Sequence, residues 1–595
     1  MTPKHALGIG EAFGFAAELF EENAILFLEE FDDGLLVSVH PTGDGHQEEL
    51  ELGGHERKKH PKPLRLNPPD SLSRVFWQDG LASKHGKGHK QSTRSRKPII
   101  LMRTSHQCSG CLSRRHCLQI LSTTTAGLAL GGELFPALAK SPKADPHFVD
   151  PMRLRPRPRV RLDAVILQQP RPYWLGWPGT TYNLDQHQKE YRGLLATSCQ
   201  RLAVELHAEE KPVENEAAMT AFVKAVRERK PDGLLAILQH MNCWGWAERL
   251  ANEAGVPLIV FSPIGTSFTG HVAGISRKQG VYVVSSLEWR AVEDGVRMIR
   301  AKRMLEETRL LWIQGNQRKE TVMERLGTKV QAIPRNTFNE LFDKMPANEE
   351  VKDVAATFRK HAKRVVEPTW QDSLNSARVY TTAKRLLADE QANAISMDCL
   401  GMVSDKLVPT PPCGAWTILG DLGITCGCEA DLHGAASLML SSYLLDRVGY
   451  MNDPVAETAK NLLIASHCVS GSRLNGFDRT PAPYILRSHS ESALGVSVQV
   501  LWPMGQRVSL LRFQNPNELI LDTGTVVSNV DTPPAGGCRT SVEIKMDNVE
   551  DSRDVLGFHQ VVTLGNHRSV VEAFCQLYGI KVVHSPEHTT HGKVA

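Results

Sequence analysis

The chain has little net charge, few cysteines and no nucleotide-binding fingerprint. Its 69 Lys and Arg stand against 66 Asp and Glu, a formal balance of +3 over 595 residues. That balance argues against a nucleic-acid binder held by bulk electrostatics, and the clearest basic runs lie near the N-terminus. Cysteine is too sparse for a disulfide scaffold, with 12 in the whole chain. Three of them, Cys108, Cys111 and Cys117, make half a zinc pattern with no second C-x-x-C at ribbon spacing. Neither "GISRKQG" nor "IQGN" forms a glycine fingerprint, and no P-loop sequence occurs.

What is present is a globular composition, 41% hydrophobic and 23% charged, in a chain long enough for two to four domains. Arg114 and Arg115 precede an apolar stretch that ends in "ALA" at Ala137 to Ala139. That order reads as a twin-arginine export signal over residues 102–139, with cytoplasmic residence as the alternative. The apolar part is too short for a spanning helix of about 20 residues, so no stable membrane insertion is expected. Residues 1–101 read as a disordered or over-extended leader in which only Glu11 to Val39 has the makings of structure.

An α/β fold is expected, with two N-terminal Rossmann-like parallel-sheet domains before a mixed C-terminal domain. After a Pro- and Arg-rich linker at 140–160, "LDAVIL", "DGLLAIL" and "VPLIVF" alternate with helical segments. These predict the first α/β domain, over 161–307. "TRLLWIQG" opens a second unit, 308–392, that ends in a long helix. Over 393–585 short β-runs separated by Gly/Pro turns predict a β-rich sandwich or barrel, and 586–595 a frayed tail.

"GCEADLHGAASLML", from Gly427 to Leu440, places Glu429, Asp431 and His433 against a small-residue apolar run. Carboxylates beside a buried segment need a partner. If the stretch is extended, all three side chains face one way. If a helix begins near Asp431, that residue is its N-cap, which leaves Glu429 unexplained.

The segments around it resemble the core of the L-fucose isomerase-like sugar isomerases. The resemblance is carried in order by Asp398-Cys399, Pro412-Cys413, Asp421 to Ile424 and Glu429 to Ala435. "YMNDPVAETAKNLLIASHCVSG" and "GFHQVVTLGNHRSVVEAFCQLYGI" then follow. It covers roughly Ala394 to His584. It implies an aldose–ketose isomerase acting on a monosaccharide, usually with a divalent metal such as Mn²⁺, in a trimer or hexamer. It also implies Glu429, Asp453 and His559 as metal ligands, with Glu429 and Asp453 as acid/base candidates.

The residue types suit that chemistry. Moving a carbonyl from C1 to C2 removes one proton and delivers another through an enediolate, which a hard cation on carboxylates and imidazole stabilises. His467 is expected as a hydrogen-bond donor to substrate or as a core histidine, and His433 as a surface or outer group. Cys399, Cys413, Cys426 and Cys428 read as small buried fillers. The tryptophans of "RPYWLGWPG" and "MNCWGW" suit sugar stacking or, more commonly, core packing. A non-catalytic, exported carbohydrate-binding relative of the same fold is the alternative to an isomerase.

Overall fold

The computed structural model describes residues 24–31, 34–41, 148–171, 182–531 and 537–586. It divides into two units, Met1–Cys111 and Leu112–Ala595. In the first, Ala24–Phe31 (β1) and Gly34–Pro41 (β2) pair antiparallel with Ala24 opposite Pro41. The export-signal segment, Trp174, Trp177 and most of the leader lie outside the described residues.

In the second unit, apolar runs set the first sheet. Arg161–Leu167 (β3) is buried beyond its first residue, Gly233–Leu238 (β5) and Leu258–Pro263 (β6) throughout. Burial on both faces is the mark of parallel strands covered by helices. With Glu205–Ala208 (β4) and Val281–Ser286 (β7) they order β4-β3-β5-β6-β7, every pair parallel. The intervening helices are Leu184–Arg201 (α1), Glu216–Arg229 (α2), Trp244–Glu253 (α3), Thr269–Ile275 (α4) and Trp289–Glu307 (α5). Asn183 and Asn215 cap α1 and α2, satisfying backbone donors that a helix start leaves open. Trp244 belongs to the core, its Nε1 donating to the Thr266 carbonyl.

The second sheet takes Arg309–Ile313 (β8), Lys319–Val322 (β9) and Lys329–Ile333 (β10). After Arg335–Lys344 (α6), Glu349–His361 (α7), Arg364–Val365 (β11) and Trp370–Asp389 (α8), it gains Ala394–Met397 (β12). Cys399–Ser404 (α9) and Cys413–Asp421 (α10) then lead to its last strand, Thr425–Gly427 (β13). The order is β13-β12-β8-β10-β9, parallel except at the β9 edge. One sheet therefore draws strands from both sides of residue 392. The end of the expected linker is also packed into the body: Leu154 and Val160 are buried, and Lys384 of α8 donates to the Val149 carbonyl.

Leu432–Leu444 (α11) is buried from Gly434 onward, as a helix apolar all round must be. Beyond it come Tyr450–Glu457 (β14), Leu462–His467 (β15), Tyr484–Arg487 (β16) and Ser497–Val500 (β17). Arg507–Asn515 (β18), Glu518–Asn529 (β19), Thr540–Met546 (β20), Gln560–Leu564 (β21), Arg568–Tyr578 (α12) and Lys581–Val583 (β22) complete the chain's elements. Strands β14, β15, β20, β19, β18 and β21 close an antiparallel barrel, because β18 pairs with both β19 and β21. Of the two expected forms, sandwich or barrel, the barrel is the one adopted, and its closure leaves no strand edge among those six. No helix among the described residues is long and apolar enough to cross a membrane.

Candidate metal centre

Strand β13 ends at Gly427, and the chain then makes an unusual turn. Glu429 and Ala430 both take left-handed conformations, at φ 56 and φ 54, before Asp431 caps α11. Each such non-glycine residue costs roughly 1–2 kcal/mol, so the turn needs external support. The Ala430 N–H donates to the Met397 carbonyl at 2.9 Å, and Trp312 Nε1 donates to the Ala430 carbonyl at 2.6 Å. The Glu429 N–H meets Cys399 Sγ at 3.4 Å. The expected choice between strand and helix is thus settled for the helix, with Glu429 standing off the C-terminal edge of the sheet. Ligands of open parallel sheets gather at that edge.

Facing Glu429 is one end of the barrel. Adjacent strands β21, β14 and β15 carry the three other residues. His559 precedes β21 and sits one step beyond the paired Asn452 and Gln560, as Asp453 does on β14. His467 is the last residue of β15. His559 is also left-handed, at φ 54. Backbone strain of this kind collects at sites where surrounding structure imposes it.

The four side chains converge. His559 Nε2 lies 3.2 Å from Asp453 Oδ1 and 3.5 Å from Glu429 Oε2, and His467 Nε2 lies 3.8 Å from Glu429 Oε1. Ligand atoms of Glu429, His467 and His559 all fall within 4.8 Å of one another, so this cluster can hold a metal ion. Three of the atoms turned toward this space, His467 Nε2, His559 Nε2 and Asp453 Oδ1, are buried without a hydrogen bond. An unsatisfied buried polar atom costs about 1–3 kcal/mol. A shared cation would satisfy several at once.

Hydrogen bonds on the far nitrogens separate the two histidines. Asp431 Oδ2 lies 2.9 Å from His559 Nδ1, and a carboxylate can only accept. Nδ1 therefore carries a proton, so in the neutral ring, the form that can bind a metal, the lone pair lies on Nε2 facing the centre. His467 Nδ1 instead accepts the Cys468 N–H at 2.9 Å. The neutral ring then carries its proton on Nε2, as a donor. Distance alone groups His467 with Glu429 and His559; the proton's position favours Asp453 as the third ligand.

Asp431 does more than cap. Its Oδ1 accepts the His433 and Gly434 N–H groups at 2.9 Å each, while Oδ2 takes His559 and, at 2.5 Å, Arg512 Nη1. Burial favours its neutral acid, yet His559, Arg512 and the Gly434 N–H outweigh burial and hold its pKa far below the carboxylate range. Burial likewise opposes a charged His559, but Asp431, Asp453 and Glu429 prevail and raise its pKa to about 11. The proximity of His559 lowers the pKa of Glu429 against the contrary pull of burial.

A narrow cavity of about 40 Å³ opens on the centre, lined by Glu429, Asp453, His467 and five cysteines among others. The fillers Cys399, Cys413 and Cys428 are buried as expected, and they also form its wall. His433 contributes its backbone N–H to the cap; its half-buried ring has a pKa lowered by burial and by Arg512. Sequence reasoning missed Arg512 and the Asp431–His559 bond. The one signal was an arginine inside the apolar run "VSLLRF" of β18.

No family model matches the chain, and no curated protein does. Among solved structures, it is similar to an ABC transporter solute binding protein from Burkholderia multivorans. The match has 9% identity and a TM-score of 0.15, over 42% of this chain and 86% of that one.

Proposed function

We propose that the chain is a metal-dependent aldose–ketose sugar isomerase, with Glu429, Asp453 and His559 holding a divalent ion, Mn²⁺ by the resemblance to L-fucose isomerase-like enzymes. The observation that carries the reading is the set of buried atoms without hydrogen bonds on His559, Asp453 and His467, turned toward Glu429. Oxygen and imidazole donors suit a hard or borderline cation. Such an ion, when bound, supplies Lewis acidity to oxygens on C1 and C2 of the sugar.

The chain's residues have the remaining tasks. His467 Nε2–H donates to a sugar oxygen and orients the substrate. A carboxylate oxygen of Glu429 or Asp453 takes the proton from C2 and returns it to C1, while the hydroxyl proton of O2 passes to O1 as the carbonyl moves from C1 to C2. Asp431 keeps the His559 lone pair facing the ion. The twin arginines and the "ALA" end support export of the folded chain, and the resemblance supports a trimer or hexamer.

The test is metal analysis of the purified chain, followed by an aldose panel with Mn²⁺ and with EDTA. Ketose formed only with metal supports the proposal. No bound metal and no ketose from any sugar would sink it. Metal and saturable sugar binding without turnover would select the non-catalytic relative instead.

A further inference from the structure

Five cysteines line the cavity above Glu429, which is far more than chance spreads over one small wall. They are not arranged as a metal cage. Among the described residues, the one group of three or more potential ligands is Glu429, His467 and His559, and it contains no cysteine. Four of the thiols instead influence one another's titration in two pairs, Cys399 with Cys428 and Cys468 with Cys538. None of the nine described cysteines is in a disulfide.

The two pairs differ in access. Cys399 and Cys428 are 8% and 3% exposed, sealed beneath the Glu429 turn. Cys468 is as deeply buried, but its partner Cys538 is half-buried and reaches solvent. The second pair also joins neighbouring strands. Cys468 directly follows His467 and Cys538 lies two residues before Thr540, and His467 and Thr540 are opposite each other on β15 and β20. A single hydroxyl, Ser490 Oγ, lies 3.2 Å from Cys468 Sγ and donates to Cys538 Sγ at 3.9 Å. Two sulfurs that share one hydroxyl and one cavity wall across antiparallel strands, one open to solvent and one behind it, have the layout of an attacking and a resolving thiol.

We propose that Cys468 and Cys538 are a reactive thiol pair that takes a low-molecular-weight disulfide, such as glutathione disulfide, and becomes an intramolecular disulfide. The Cys538 thiolate attacks one glutathione sulfur, the glutathione S–S bond breaks, and the departing thiolate takes up the proton that Cys538 lost. The Cys468 thiolate then attacks Cys538 Sγ and releases the second glutathione, which takes the proton from Cys468. The thiol pair is oxidised by two electrons, and glutathione disulfide is reduced to two molecules of glutathione. Because the Cys468 N–H holds His467 Nδ1 at 2.9 Å, the new bond anchors the residue that orients the His467 ring. The chemistry stands whether or not the centre is an isomerase.

The test incubates the full folded chain with glutathione disulfide, blocks remaining thiols with an alkylating reagent and maps the peptides by mass. A Cys468–Cys538 cross-link that dithiothreitol removes is expected. Cys468→Ser should instead trap glutathione on Cys538. Cys538→Ser, on a part-exposed position that leaves the fold intact, should show neither cross-link nor adduct. Full alkylation of the wild type, a Cys399–Cys428 cross-link, or glutathione retained on wild-type Cys538 would each overturn the proposal.

Discussion

Asp431 Oδ2 and His559 Nδ1 lie 2.9 Å apart, across 128 residues of sequence, and that contact joins the start of α11 to the end of the barrel. It makes one carboxylate responsible both for a helix start and for which nitrogen of His559 faces Glu429. A histidine that ligates a metal commonly makes such a bond through its other ring nitrogen.

Asp431 therefore allows two functions to be separated. Asn is as good an N-cap as Asp, so Asp431→Asn should keep the cap while losing the charge. The expected result is a loss of about 10–100-fold in metal affinity, with a fall in melting temperature from the lost charge between Arg512 and His559. Asp431→Ala should lose the cap as well, at about 0.5–2 kcal/mol. Calorimetric titration with Mn²⁺ and thermal unfolding measure the two effects; unchanged affinity in both variants would return Asp431 to a purely capping role.

His559 gives a pH dependence. Its folded pKa, raised to about 11 by carboxylates that overcome burial, stands above the ordinary value of about 6.5 for an unfolded chain. The charged ring thus contributes its full stability below pH 6.5 and loses it as pH climbs toward the folded value. In EDTA, denaturant unfolding of wild type relative to His559→Gln should show an advantage that shrinks between pH 6.5 and 11. An advantage that grows with pH would contradict the assignment.

His467 is the test of the proton assignment. His467→Gln, which keeps an N–H donor, should leave metal content intact and change sugar binding modestly, and His467→Ala should keep metal while weakening sugar binding. Glu429→Gln and Asp453→Asn should both lose metal. Elemental analysis after gel filtration decides, and metal loss in His467→Ala would make His467 a ligand.

Trp416 secures the strand that delivers Glu429. It is 1% exposed, and its Nε1 donates to the Gly427 carbonyl at 3.1 Å. Trp416→Ala should cost about 3–5 kcal/mol in urea unfolding. Trp416→Phe keeps most of the packing and should cost less, yet it too should weaken metal binding by loosening β13.

Much of the α/β half was legible because its signals are local. The apolar runs of β3, β5 and β6 and the periodic faces of α1, α2 and α8 lie within short windows. The second sheet was less so, since β12 joins β8 across more than eighty residues and a window cannot see that pairing. Barrel closure rests on the same kind of information: β18 reads as one more strand until it is found between β19 and β21. At the site, Glu429, Asp453 and His559 came from a likeness of motifs, and the structure brings them to one place. The left-handed turn at Glu429 and Ala430 has no sequence period, so strand and helix could not be told apart there. Arg512 was hidden because its partners are set by register across the barrel.

The closed ring of six strands has a mechanical consequence for the cluster it carries. Asp453, His467 and His559 belong to three neighbouring staves of one hoop and can shift only together. Glu429 comes from the other layer, on a turn hung from Trp312, Met397 and Cys399. Asp431, two residues further on, clamps that turn back onto His559 at 2.9 Å, so the two halves of the centre are held at a fixed span by one short link.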